Sequence, residues 1–295
     1  MSGLSTTGDA AAIVREPLEA RRDRLERILL EMDSVAIGFS GGADSALLVK
    51  VAHDVLGDRA VALTAVSPSF PVRDRDEACA LARDIGIRHV LVDSREFEDP
   101  RYVANAPSRC FFCKKELFDL LREAAAAQGL HAIAYGAITD DLGDFRPGMD
   151  AAREAGARAP LLEAGFSKED VRALSRLLGL RTADRPASAC LSSRVPHGTP
   201  IDPEVLRRVE RAEDHLLQRG FRTVRVRAHG ELARVEVDPA EIPRLVESGE
   251  RAALLARLRE LGFRYVTVDL EGYRTGSLNP SGTTMRSPRG GTTPR

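Results

Sequence analysis

No stretch of this 295-residue sequence stays apolar for the roughly 18–20 residues that a bilayer-spanning helix requires, so a helical membrane span is excluded. Residues 1–12 lack the basic start and apolar centre of a secretory signal. The expected location is therefore a reducing cytoplasm, where structural disulfides are rare. Net charge is almost absent: 43 Lys and Arg stand against 44 Asp and Glu, which argues against a surface that binds nucleic acid as a whole. The G-x-x-x-x-G-K-[ST] phosphate loop occurs nowhere, and no internal repeat recurs at solenoid periods. What is present is a globular composition, 43% hydrophobic and 29% charged, long enough for about two domains and suited to a small ligand.

Residues 1–15 are small and polar and residues 281–295 form a Pro/Gly/Ser/Thr/Arg tail, so both ends are expected to stay disordered. Residues 16–185 alternate between two periods. Helical spacing over 16–32 (Leu18, Leu25, Ile28, Leu29) leads to a buried strand over 35–39. Helices over 44–55, 74–85 and 113–127 then alternate with strands over 60–66, 88–93 and 131–135, and a helix over 168–178 follows. Continuously apolar strands separated by helices predict an α/β fold with a doubly wound parallel sheet covered on both faces. Its ligand should sit beyond the carboxyl ends of the strands, after Phe39, Val66 and Tyr135. Residues 186–202 read as a linker that also carries Cys190. Residues 203–280 read as a second, smaller α+β domain: a helix over 203–218, strands over 221–227 and 232–237, helical segments within 240–261 and a strand over 264–270. In its first hairpin Val224 and Val226 face one way and Arg225 and Arg227 the other. That pattern taken alone predicts an exposed, salt-bridged face.

The sharpest local signal is Ser40-Gly41-Gly42-Ala43-Asp44-Ser45, which joins the first buried strand to a helix. Two glycines let the backbone approach an anion, Ser40 and Ser45 add hydroxyls, and the helix amino end adds positive dipole. Asp44 can hold Mg2+ on the phosphates. Of the four cysteines, Cys79 lies in a helix interior and reads as core. Cys110 and Cys113 form a C-x-x-C at the start of a helix, beside Lys114 and Lys115. Alone this pair fits a redox couple, half a metal site or two unrelated residues. Cys190 sits among small and polar residues, as in an active-site loop. With Cys110 and Cys113 it would supply three thiolates, enough for a [4Fe–4S] cluster with one open iron or, with His197, a Cys3His zinc site.

The Ser-Gly-Gly-x-Asp-Ser loop resembles that of the PP-loop ATP pyrophosphatases, the adenine nucleotide alpha hydrolase-like superfamily. The resemblance implies cleavage of ATP between its α- and β-phosphates, with AMP placed on an acceptor oxygen and adenine received near Thr64–Val66. Five motifs together resemble the LarE family: the loop, residues 105–114 (Asn105 to Lys114), residues 140–148 (Asp140 to Gly148), Pro160-Leu161, and residues 190–194 (Cys190 to Arg194).

That family makes the nickel-pincer cofactor of lactate racemase by adenylating the carboxylates of pyridinium-3,5-biscarboxylate mononucleotide and converting them to thiocarboxylates. Carried over, the resemblance implies Cys190, Asp44, Arg109 and Arg194 as catalytic residues. Ser40, Gly41, Gly42, Asp44, Ser45, Thr64, Gly136, Asp140 and Asp141 would bind ATP. Ser193, Arg194, Glu213, Arg225 and Glu236 would bind substrate or phosphate, and Cys110, Cys113 and Cys190 a [4Fe–4S] cluster with a transferable sulfide. It also implies a hexamer and a sulfide donor. Single-cysteine members instead give up the sulfur of the residue matching Cys190. Where the family pattern has Gly-Thr-Asn-x-Asp-Asp, this chain has Gly136-Ala137-Ile138-Thr139-Asp140-Asp141, so an amide contact is missing at Ile138; Asp144 and Arg146 complete the acidic segment. Asp269, Arg274 and Ser277 match the family's closing motif without an assignable role. The alternatives are a PP-loop tRNA thiolase, which should carry a basic, aromatic-studded surface that does not stand out here, and an ATP-binding regulator with structural zinc.

Overall fold

A computed structural model describes residues 16–143, 147–185 and 188–274. The ends expected to be disordered, and Asp144, Arg146 and Ser277, lie outside the described residues. Helix α1 (Leu18–Met32) leads into β1 (Val35–Gly38), α2 (Ala43–Leu56), β2 (Ala60–Val66), α3 (Val72–Ile85) and β3 (Arg88–Asp93). After α4 (Pro100–Val103) and α5 (Arg109–Ala127) comes β4 (Ala132–Ala134), then α6 (Pro147–Glu154), α7 (Pro160–Glu163) and α8 (Lys168–Leu177). The four strands are parallel in the order β3-β2-β1-β4. Because Val35, Ala36 and Ile37 are all fully buried, β1 needs cover on both faces. Val35 and Ile37 join the core built with α1, α2, α3 and α8, whereas Ala36 joins a second layer with Phe118 and Leu121 of α5. Strand order reverses between β1 and β4, so their carboxyl ends open the crevice where such sheets bind ligands.

The second unit contains α9 (Pro203–Gln218), β5 (Val224–His229), β6 (Leu232–Val237), α10 (Ile242–Val246), α11 (Ser248–Glu260) and β7 (Tyr265–Val268). Its sheet has the order β5-β6-β7, antiparallel then parallel. Asp202 caps α9 by accepting from Glu204 N at 2.8 Å, and Pro203 opens it. Leu206, Val209, Ala212 and Leu216 lie along one buried face of α9, against Val224, Val226 and Val235. The hairpin departs from the expected exposed face: Arg227 and Glu236 pair at 2.8 Å with side chains 6% and 0% exposed. Within the segment expected as a linker, Leu191, Val195 and Ile201 are buried in this same core.

Candidate active site

The first βα turn closes on itself. Gly41 takes φ +71, Gly42 ends the turn as the cap of α2, and Ser45 Oγ donates to Gly42 O at 3.1 Å and lies 3.2 Å from Ser40 Oγ. Gly136, at the exit of β4, presses against the same corner: a Cβ there would stand 2.9 Å from Ser45 N. Only glycine lets the two carboxyl ends approach this closely. Beyond them opens a cavity of about 670 Å3, walled by the glycine turn, Thr64, Gly136, Asp141, Cys113 and Cys190. Cys190 and the glycine turn, about 150 positions apart in sequence, thus face one space.

Ser40 to Ser45 run from the carboxyl end of β1 into the first turn of α2, and the side chains around them are engaged with one another. Asp44 is bound through both oxygens by Lys168 Nζ, at 2.7 and 2.9 Å. Lys168 went unnoticed in the sequence; the signal for its placement is the Ser167-x-x-Asp170 capping box that starts α8. Asp140 accepts from Lys168 N and Asp141 from Ile138 N, so both carboxylates order the turn after β4. Ile138 itself packs into the core. The Thr64 hydroxyl is committed to Phe39 O at 2.6 Å and His89 Nε2 at 2.8 Å, and burial lowers the His89 pKa.

A second set of bonds holds the Cys190 segment against the start of α5. Asn105 is fully buried with φ 55, and its amide donates to the carbonyls of Pro196 and Thr199 at 2.9 Å each. Arg109 donates to Asn105 Oδ1 at 2.6 Å and Ser192 O at 2.9 Å. Tyr102 Oη meets Ser192 Oγ at 2.7 Å. Arg194, 2% exposed, forms a two-bond pair with Glu213 and donates to the carbonyls of Ala189 and Cys190 at 2.6 and 2.9 Å. The resemblance implied catalytic roles for Arg109 and Arg194 and a substrate contact for Arg194; in the structure Arg109 bonds to Asn105 and the Ser192 carbonyl, and Arg194 to Glu213 and the carbonyls of Ala189 and Cys190. Ser193 Oγ likewise donates to Cys190 O at 2.8 Å.

Arg225 differs. It faces Glu236 in the strand register, but Glu236 is paired with Arg227 and Arg234. Among the described residues no carboxylate pairs with Arg225, which donates to Val224 O and lies 5.1 Å over the Tyr273 ring. Burial, then the neighbouring Arg194 cation, pulls its pKa down, so an anion there would be favoured. Asp269 approaches Arg234 at 3.6 Å and Arg274 pairs with Glu271.

A family model described as NAD synthase matches residues 19–101. An uncharacterized protein of Synechocystis sp. is 47% identical over 262 residues, spanning 89% of this chain and 98% of the relative. The pyridinium-3,5-bisthiocarboxylic acid mononucleotide synthase of Lactiplantibacillus plantarum, a LarE enzyme, is 39% identical over 263 residues, 89% of this chain and 95% of that enzyme. The chain belongs to the LarE family. A more distant relative, an uncharacterized protein of Methanocaldococcus jannaschii, is 24% identical over 243 residues, 82% of this chain and 91% of the relative.

In this LarE-family chain the three thiols suit a cluster by donor type but not by present spacing. Cys113 and Cys190 line the cavity, while Cys110 is exposed at the start of α5. Among the described residues no group of three or more His, Cys, Asp or Glu side chains stands at metal-binding spacing, so the expected trio is not drawn together. Burial pushes the Cys113 thiol up, and Glu96 beside it adds to the effect. Glu96, also missed in the sequence, is 4% exposed and accepts from Ser67 and Ser69 at 2.5 Å each. His197 Nδ1 lies 3.3 Å from Asn105 O. Cys79 is half-buried on α3, away from the cavity wall. No helix among the described residues is long and apolar enough to cross a membrane.

Proposed function

We propose that this enzyme is an ATP-dependent sulfurtransferase that converts the carboxylates of pyridinium-3,5-biscarboxylate mononucleotide to thiocarboxylates, for assembly of a nickel-pincer cofactor in the cytoplasm. The observation that carries the reading is the shared cavity: the glycine turn at the amino end of α2 and the Cys190 thiol border one space. The turn's N–H groups and the α2 dipole suit the phosphates of Mg–ATP, with Asp44 exchanging Lys168 for the cation. A substrate carboxylate oxygen attacks the α-phosphorus, the bond to pyrophosphate breaks, and the acyl adenylate forms. Sulfide-level sulfur then attacks the acyl carbon, the carbon–oxygen bond to AMP breaks, and AMP leaves with the bonding pair and the former carboxylate oxygen. Arg225 is suited to the nucleotide phosphate of the substrate, with Arg194, Ser193, Glu213 and Glu236 framing that region.

For the sulfur source we propose a [4Fe–4S] cluster that Cys110, Cys113 and Cys190 would hold after drawing closer together than they stand here, and that when bound would supply a transferable sulfide. In the competing route the Cys190 thiolate attacks the acyl carbon, and loss of its Cα proton then breaks the Cβ–Sγ bond, leaving the thiocarboxylate and dehydroalanine at position 190. A hexamer and a separate sulfide donor complete the proposal. Incubation with ATP and the dicarboxylate nucleotide is expected to release AMP and pyrophosphate in step with oxygen-to-sulfur exchange in the product. An ATP-binding regulator would release neither. Anaerobic purification with iron and sulfide analysis separates the sulfur sources: absence of iron, together with loss of one sulfur from Cys190 after turnover, overturns the cluster.

A further inference from the structure

Interactions from two parts of the chain converge on one carboxylate, Asp74, in the first turn of α3. Asp74 is 2% exposed yet borders the active cavity. Arg185 Nη2 donates to its Oδ1 at 2.9 Å, and the Ser188 hydroxyl donates to its Oδ2. Arg73 approaches the same carboxylate at 3.7 Å. Arg185 also pairs with Glu77 at 2.6 Å, and its Nη1 donates to the carbonyl of Gly41 at 3.1 Å.

Gly41 is the left-handed residue of the nucleotide loop, and a Cβ there would stand 3.1 Å from the Cβ of Ala78. Asp74 and Ala78 lie four residues apart, on one face of α3. That single face therefore supports the glycine turn through Ala78 and grips the approach to Cys190 through Asp74. On the far side of Cys190, Leu191 N donates to Ser69 O at 2.8 Å. Cys190 is thus suspended between attachments at positions 188 and 191, the first made to the opening turn of α3 and the second to the stretch that leads β2 into it.

We propose that Asp74 and Arg185 form a positioning latch that aligns the Cys190 thiol with the activated carboxyl group and ties sulfur delivery to the loop holding the nucleotide phosphates. The latch rests on Cys190 being the point of sulfur delivery. Neither residue touches the reacting atoms: Arg185 acts through the Gly41 carbonyl, and Asp74 through the chain that carries the thiol. The two half-reactions are consequently separable. Adenylation needs the loop and the substrate carboxylate, whereas thiolation needs the latch as well.

The test uses the full chain with Asp74→Asn and, as a milder change that leaves no buried charge unpaired, Ser188→Ala. In single turnovers with ATP and the dicarboxylate nucleotide, Asp74→Asn is expected to keep the pyrophosphate burst within about threefold of the unmodified protein. Its thiocarboxylate formation should fall by up to about 100-fold, the cost that an ångström of misplacement can carry. Alkylation of Cys190 by iodoacetamide without nucleotide, read by peptide mass spectrometry against Cys110 in the same chain, should quicken about tenfold as the segment opens locally. Ser188→Ala should give the same pattern with smaller amplitude, which keeps the test alive should Asp74→Asn fail to fold. Parallel loss of the burst and of thiolation would overturn the latch, as would unchanged alkylation and product formation in both variants. If Cys190→Ala still makes thiocarboxylate, the sulfur-delivery reading fails instead.

Discussion

Glu213→Gln tests how the cysteine segment is anchored. Glu213 projects from the apolar face of α9, holds Arg194 through two bonds of 3.0 Å, and accepts from Val226 N at 2.9 Å. The side chains of the pair are 3% and 6% exposed, so the glutamine variant strands a buried guanidinium with no counter-charge. Such a loss costs about 3–5 kcal/mol. At roughly 2–4 °C per kcal/mol for a chain of this size, the melting midpoint should fall by roughly 6–20 °C. Replacing both partners, Arg194→Met with Glu213→Leu, removes the stranded charge and leaves the Val226 N–H without its acceptor, a deficit of about 1–3 kcal/mol, while the Ala189 and Cys190 carbonyls lose their Arg194 donor. Stability should therefore largely return in the double variant. Sulfur transfer should not, because the bonds from Arg194 to the carbonyls of Ala189 and Cys190 are gone. Urea denaturation beside a thiolation assay reads both quantities. A single variant within about 1 kcal/mol of the parent, or a double variant with full activity, would refute the reasoning.

Gly136→Ala should weaken ATP binding by about 5- to 150-fold as measured by calorimetry, since its Cβ would strike backbone at Ser45 N and Asp44 C, at 2.9 and 3.1 Å, and overpacking of this kind costs about 1–3 kcal/mol. Unchanged affinity would mean that the β4 exit does not shape the loop. Burial lowers the pKa of His89, His215 and His229 below the ordinary 6.5. The unfolded chain then binds more protons below that value, so stability should be highest above it and fall as the pH drops from about 7.5 toward 5.5. Urea midpoints across that range measure the slope; replacing His215 by Gln should flatten it, and a midpoint that rises on acidification would contradict the assignment.

Much of the fold was legible because its signals are local. Val35 to Ile37 is apolar without a break, which only a strand buried on both faces tolerates, and the helices α2, α3 and α8 follow their periodicity. The glycine turn was legible for the same reason: its chemistry lies within six consecutive residues. Less was visible where partners are remote. Arg225 and Arg227 alternate like an exposed ribbon, yet Arg227 is buried against Glu236, because the segment around Leu191 and Val195 folds over that sheet. Glu96 and Asp74 carry no motif of their own, and the capping box around Lys168 marks only a helix start; all three enter the cavity wall through the packing of the stretch after β3, of α3 and of α8.

The sequence by itself determined the parallel α/β sheet, the loop built to meet phosphate, and the presence of three thiols in polar contexts, since each depends on neighbours within a turn or a strand. Tertiary structure alone decided that Cys190 shares a cavity with that loop, that Cys110 stays outside the cavity wall, and that Arg109 grips the Ser192 carbonyl. Contacts between residues more than 80 positions apart leave no periodic trace in the chain. They exist only after burial of the two cores has fixed where each segment must run.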